Sequence, residues 1–153
     1  MSKLFNELDY KLYIAGKEEG DYYTKLLNQI KDLQLEDKII FKGMVIGREK
    51  EQLYAEAKAT FLISHSENFG NVIIESLAQG TPVIASFGTP WKILEQKGCG
   101  FWIDNSPEII ARTIDRIISL DEVQYDQMRN NAYNLCQEQF DIKTNINKWI
   151  ENV

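Results

Sequence analysis

Residues 59–85 read ATFLISHSENFGNVIIESLAQGTPVIA, and this stretch decides the fold. Ala59 to Ser64 is a short run rich in apolar residues, the pattern of a strand. Asn71 to Gln79 is apolar nearly all round, the pattern of a buried helix. Gly80 can cap the C-terminus of that helix, and Pro82 forbids its continuation. Pro82 to Ala85 is a second strand. A strand, a loop, a helix and another strand form the repeating unit of a parallel sheet with right-handed crossovers. Such a sheet takes ligands outside the carboxyl ends of its strands, at helix N-termini. The loop Ser64 to Asn71 stands at such a place.

Its residues suit a phosphorylated ligand. Gly70 lets backbone approach a ligand closely. The first amides of the following helix lack intrahelical acceptors and carry the positive end of the helix dipole, which favours a phosphate or diphosphate. Glu67 stands just before the helix. Glu75 lies one turn inside it, on the face of Asn71. A carboxylate in an apolar helix needs partners, and two vicinal sugar hydroxyls would serve, as they do for the acidic residue that holds a ribose in a dinucleotide fold. The plainer alternative makes Glu67 a solvated loop residue and pairs Glu75 with a lysine or arginine. Either glutamate alone favours that alternative; the two together in this frame favour ligand binding.

Outward from the loop, strands and helices keep alternating. Lys11–Ala15 is a strand closed by Gly16, and Tyr22, Leu26, Ile30 and Leu33 recur at helical spacing. Lys38–Phe41 is a strand closed by Gly43, followed by a short helix over 49–58. A short helix follows Pro90, and Gly100–Asp104 is the fifth strand. Ser106 and Pro107 open a helix with Ile110, Ile114, Ile117 and Ile118 inward. A helix over 121–139 turns Tyr125, Met128, Ala132 and Leu135 to one side. A last helix begins near Asp141 and carries Ile142, Ile146, Trp149 and Ile150. The expected architecture is α/β, a Rossmann-like parallel sheet flanked by helices, in a single domain over 1–153.

Composition narrows the function. The chain has 153 residues, 44% apolar and 26% charged, with a net charge of −6. That balance disfavours nucleic acid and anionic membranes as partners. Cys99, Cys136 and the lone His65 fit no zinc spacing. Two free thiols and no apolar leader or span make the cytoplasm the expected compartment. Cys99, between two glycines, reads as a turn residue before a strand. His65 reads as a strand-end residue without acid–base work, and Trp91 and Trp102 as packing residues.

The segment Ser66–Ala85 resembles the E-x7-E segment of retaining glycosyltransferase family 4, whose members have the GT-B fold of two Rossmann-like domains facing a cleft. Leu12–Gly16 is similar to that family's strand ending in glycine, and Ile40–Val45 to its F-x-G turn. Gly88-Thr89-Pro90-Trp91 with Gly98–Ile103 is similar to a variant common among bacterial surface-polysaccharide transferases. The resemblance covers nearly all of 11–153.

It implies the C-terminal, donor-binding half of such an enzyme, moving a hexose from a nucleoside-diphosphate sugar to a glycan or lipid-linked acceptor. Glu67 would contact the hexose as the catalytic-side residue, Glu75 the ribose, and the amides of Gly70, Asn71 and Val72 the diphosphate. Phe69, Gly16, Gly43 and Met44 complete the donor site, with the Gly43–Met44 turn against the base. No cofactor or metal is implied. Asn68 replaces a family glycine. The family's first strand of this half, with its basic loop, has no counterpart in Met1–Tyr10, and the N-terminal acceptor domain is missing. The fragment is therefore expected to be inactive alone. Its last helix, about 141–153, would cross toward the missing domain and leave a face for self-association, and the full enzyme could touch the inner face of the membrane. The competing readings are a non-catalytic flavodoxin-like interaction module or truncated remnant, and a glycosidase carboxylate pair, which lacks an opposing wall.

Overall fold

The computed structural model describes residues 9–17, 20–66 and 70–140. The chain divides into two compact units between Lys50 and Glu51.

In the first unit, β1 (Leu12–Ala15) pairs in parallel with β2 (Ile39–Gly43), Leu12 opposite Ile39 and Ile14 opposite Phe41. Between them runs α1 (Gly20–Asp32), whose buried residue is Ile30. The inward stripe differs from expectation by one position. Tyr22 is 78% exposed, whereas Tyr23 packs edge-on against Phe41, ring centroids 5.0 Å apart. Tyr22 and Tyr23 both keep helical spacing with Leu26 and Ile30, and the position of Phe41 chooses between them. Leu33 falls past the end of α1 and is half exposed. Gln34 takes a left-handed φ of 55° there, which lets Leu35 N–H bond back to Ile30 O at 3.0 Å and buries Leu35.

Helix α2 (Gly47–Glu56) spans the division. The second unit holds β3 (Thr60–Leu62), α3 (Asn71–Ala78), β4 (Val83–Ser86), α4 (Ile93–Gln96), β5 (Gly100–Ile103), α5 (Pro107–Ile118) and α6 (Glu122–Gln139). Its strands run parallel in the order β3-β4-β5, so the described strands form two parallel sheets.

Strand β4 is central and wholly buried. Val83 and Ala85 pack with Ile73 and Leu77 of α3 and with Ala132, Leu135 and Cys136 of α6. Ile84 packs on the other face with Phe101, Ile103 and Ile117. Burial on both faces explains why this strand reads as an unbroken apolar run. Each fully buried Leu or Ile here contributes roughly 1.5–3 kcal/mol. Gly100 is required by proximity: a Cβ there would lie 2.1 Å from Val83 O.

Of the two expected caps, that at Gly80 forms and that at Ser106 does not. Gly80 takes a left-handed φ of 66° just past α3, and its N–H bonds Leu77 O at 2.9 Å. Asp121 and Gln124 form a reciprocal capping box at α6. Pro107 stands in the first turn of α5, but the Ser106 side chain makes no cap hydrogen bond; Asp104 Oδ1 accepts from Ser106 N–H at 2.8 Å instead. Glu67, Phe69 and the last helix with Trp149 lie outside the described residues.

Candidate functional site

The turn into α3 opens on a glycine. Gly70 is left-handed, with φ 71° and ψ 69°, and as a glycine it supplies no side-chain cap to the helix. Ile73 N–H turns back to Gly70 O at 2.9 Å. The N–H groups of Asn71 and Val72 therefore have no acceptor within the helix, and both residues are exposed. The positive end of the dipole backs them.

One turn further in, Glu75 is half-buried. Tyr54, on α2, donates its hydroxyl to Glu75 Oε2 at 3.1 Å. Tyr54 is fixed at its other end too, because Thr81 Oγ1 donates to Tyr54 O at 2.6 Å. Ser76 Oγ, buried, donates to Thr60 Oγ1 at 2.8 Å and lies 3.1 Å from Thr81 O. These bonds tie α2, β3 and the start of β4 around α3. Burial, then the charge of Glu75 and the hydrogen bond to it, push the Tyr54 hydroxyl well above the ordinary tyrosine range. A neutral phenol therefore donates to the Glu75 side chain.

The expected donor residues of the first unit gather among themselves. Gly16 N–H donates to Gly43 O at 2.9 Å. Gly43 is left-handed at φ 63°, and Met44 beyond it is 70% exposed. In the second unit Gly70, Asn71, Val72 and Glu75 share the first turns of α3 and the residue that precedes them.

Trp91, Trp102 and Cys99 resolve into packing. Trp91 is buried against the Phe140 ring. Trp102 donates Nε1–H to Thr89 O at 3.0 Å and meets the half-exposed Phe87 edge-on at 4.6 Å. His65 is exposed. Cys99 is completely buried, and burial pushes its thiol up to about 12. An open depression of about 450 Å³, lined by Gly98, Leu120, Val123, Met128 and Asn131 among others, lies at the amino end of β5. It is at the opposite end of the sheet from Gly70. Among the described residues no three His, Cys, Asp or Glu cluster to hold a metal, and no helix is long and apolar enough to cross a membrane.

Sequence reasoning missed Tyr54 as the partner of Glu75. It also missed Ser86 and Asn105, which hydrogen-bond the backbone of Ser64. Tyr54 and Glu75 are 21 positions apart, and no local spacing records such a pair.

Comparison with known proteins gives the family. The model of glycosyl transferases group 1 matches residues 1–135. An uncharacterized glycosyltransferase of Methanocaldococcus jannaschii is 34% identical over 78% of this chain and 30% of its own length. The alpha-monoglucosyldiacylglycerol synthase of Streptococcus pneumoniae is 30% identical over 85% of this chain and 29% of its own length. The chain thus spans less than a third of either relative. The crystal structure of Anabaena HepE in complex with UDP-glucose superposes with a TM-score of 0.76 at 26% identity, over 94% of this chain and 41% of that one. The α/β fold, the order of its motifs and these matches agree: the chain belongs to the group 1 glycosyltransferase family.

Proposed function

We propose that the chain is the donor-binding C-terminal half of a retaining family 4 glycosyltransferase of GT-B fold, taking a nucleoside-diphosphate hexose. The observation that carries this reading is the corner at α3: a left-handed Gly70, exposed Asn71 and Val72 at the helix start, and Glu75 one turn on. The Asn71 and Val72 amides, with that of Gly70, meet the diphosphate, whose leaving charge they stabilise without reorganising. Glu75, held by Tyr54, takes the ribose hydroxyls. By resemblance, Glu67 contacts the hexose, Phe69 is a further donor-binding residue, and so, within the first unit, are Gly16, Gly43 and Met44. No metal takes part. A relative that binds UDP-glucose supports a nucleotide-sugar donor. A relative named as a diacylglycerol glycoside synthase and the Gly88–Trp91 variant support a lipid-linked or surface-polysaccharide acceptor, held by the other half of the enzyme.

Calorimetric titration with UDP, GDP, ADP and CDP in the presence of EDTA tests this. One nucleotide is expected to bind selectively, and Glu75→Gln to weaken it. Absence of binding by all four at millimolar concentration defeats the assignment.

A further inference from the structure

Three elements converge on a single carbonyl beside the proposed donor loop. Ser64 O accepts from Ser86 Oγ at 2.6 Å and from Asn105 Nδ2 at 3.3 Å. Ser64 N–H donates to the same Ser86 Oγ at 2.9 Å. The Ser86 hydroxyl thus closes on both backbone polar groups of Ser64. Ser86 is the last residue of β4 and fully buried; Asn105 stands in the turn between β5 and α5. Gly88 presses on the same backbone: a Cβ there would lie 2.4 Å from the Ser64 and His65 carbonyl oxygens.

The constraint is passed forward. Ser64 Oγ donates to Ser66 O at 2.9 Å and accepts from Ser66 N–H at 3.3 Å. The chain is therefore fixed from β4 and β5 up to Ser66, and the next residue in sequence is Glu67. Asn105 Oδ1 is buried and bonded to nothing among the described residues. An unpaired buried acceptor is unfavourable, so the gain from burying this amide lies at its donor end, on Ser64.

We propose that Ser86 and Asn105 are positioning residues that hold the Ser64–Ser66 backbone, the last described residues before Glu67 in sequence, by sharing the Ser64 carbonyl. The proposal rests on the donor-binding reading given above. It gives two residues outside the E-x7-E segment, one at the end of β4 and one in the turn after β5, a hold on the backbone that leads to Glu67 in sequence.

The test compares Asn105→Ala with Asn131→Ala. Asn131 makes an equivalent bond, Nδ2 to Gly98 O at 3.2 Å, at the far end of the sheet. Ser86→Ala is a further variant, and Asn105→Ala decides the matter if it does not fold. One hydrogen bond corresponds to about 3- to 10-fold. Amide exchange at Ser64 and Ser66 in the nucleotide-free chain is expected to quicken by about that factor in Asn105→Ala and to stay unchanged in Asn131→Ala. Affinity for whichever of UDP, GDP, ADP or CDP the wild type binds is expected to fall similarly in Asn105→Ala alone. Unchanged exchange at Ser64 and Ser66, or equal loss of affinity in the two variants, overturns the positioning role. A wild-type chain that binds none of the four defeats the donor reading instead, and the exchange comparison still decides positioning.

Discussion

The Tyr54 hydroxyl donates to the Glu75 carboxylate at 3.1 Å across 21 residues of sequence. This bond ties the Glu75 side chain to α2. Tyr54→Phe removes the donor and keeps the ring. Affinity for the preferred nucleoside diphosphate is expected to drop about fivefold, equivalent to ~1 kcal/mol for one hydrogen bond. Circular dichroism should remain that of the wild type. Unaltered affinity would mean that Glu75 needs no help from Tyr54.

The same bond gives a pH dependence. The folded-state pKa of Tyr54 is raised above its ordinary value of 10.0. A raised pKa contributes stability that is fully present below the unfolded value and is lost as pH rises toward the folded one. Stability is therefore expected to decline above about pH 10, and less steeply in Tyr54→Phe. Absorbance titration of the phenolates should show a late-ionising tyrosine that the variant lacks.

The two thiols should be silent in the native state. Cys99 and Cys136 are both buried. Burial pushes the Cys99 thiol up to about 12, and its sulfur bonds Leu94 O at 3.6 Å. Thiolate is the reactive form. Iodoacetamide at pH 8 is expected to modify neither cysteine in the folded chain and both in denaturant. Rapid labelling of the native chain would contradict this packing.

What the sequence made legible follows from where the information is local. Strand β4 was readable because burial on both faces writes an unbroken apolar run. The α3 turn was readable because Gly70, the apolar helix, Gly80 and Pro82 are consecutive signals. The α1 stripe was readable only to within one residue, since Tyr22 and Tyr23 both keep helical spacing and a distant ring, Phe41, selects Tyr23. Tyr54, Ser86 and Asn105 act on residues 21, 22 and 41 positions away, and a single sequence holds no trace of such pairs. The division of the strands into a pair and a trio was hidden for the same reason.

Stability and ligand binding should separate at α6. Asp121 accepts from Gln124 N–H at 2.8 Å, and Gln124 Oε1 accepts from Asp121 N–H at 3.3 Å. Asp121→Ala removes the cap and is expected to cost about 1 kcal/mol. Urea unfolding should show the lower midpoint with an unchanged slope. Nucleotide affinity should not move, because Asp121 lies at the end of the sheet away from Gly70.

Gly88→Ala should combine both effects. The new methyl group would meet two backbone oxygens at 2.4 Å, and backbone cannot rotate aside as a flexible side chain can. Either β4 and its following loop move away from Ser64, or the Ser64–His65 backbone shifts. The first breaks the bonds from Ser86 to Ser64; the second displaces the start of the donor loop. Overpacking of this kind costs about 1–3 kcal/mol, so the variant is expected to fold at 10 °C and to melt earlier. At that temperature its nucleotide affinity should already be lower, whereas a variant harmed only in stability would bind normally until it unfolds. Gly98→Ala supplies the contrast. Its nearest neighbour is the Asn131 Nδ2 side-chain atom at 3.2 Å, and its φ of +61° strains an alanine. It should lose stability by about 1–2 kcal/mol and keep its affinity. Equal affinities for the two variants at 10 °C would show that contact with Ser64 and His65 does not govern the donor loop.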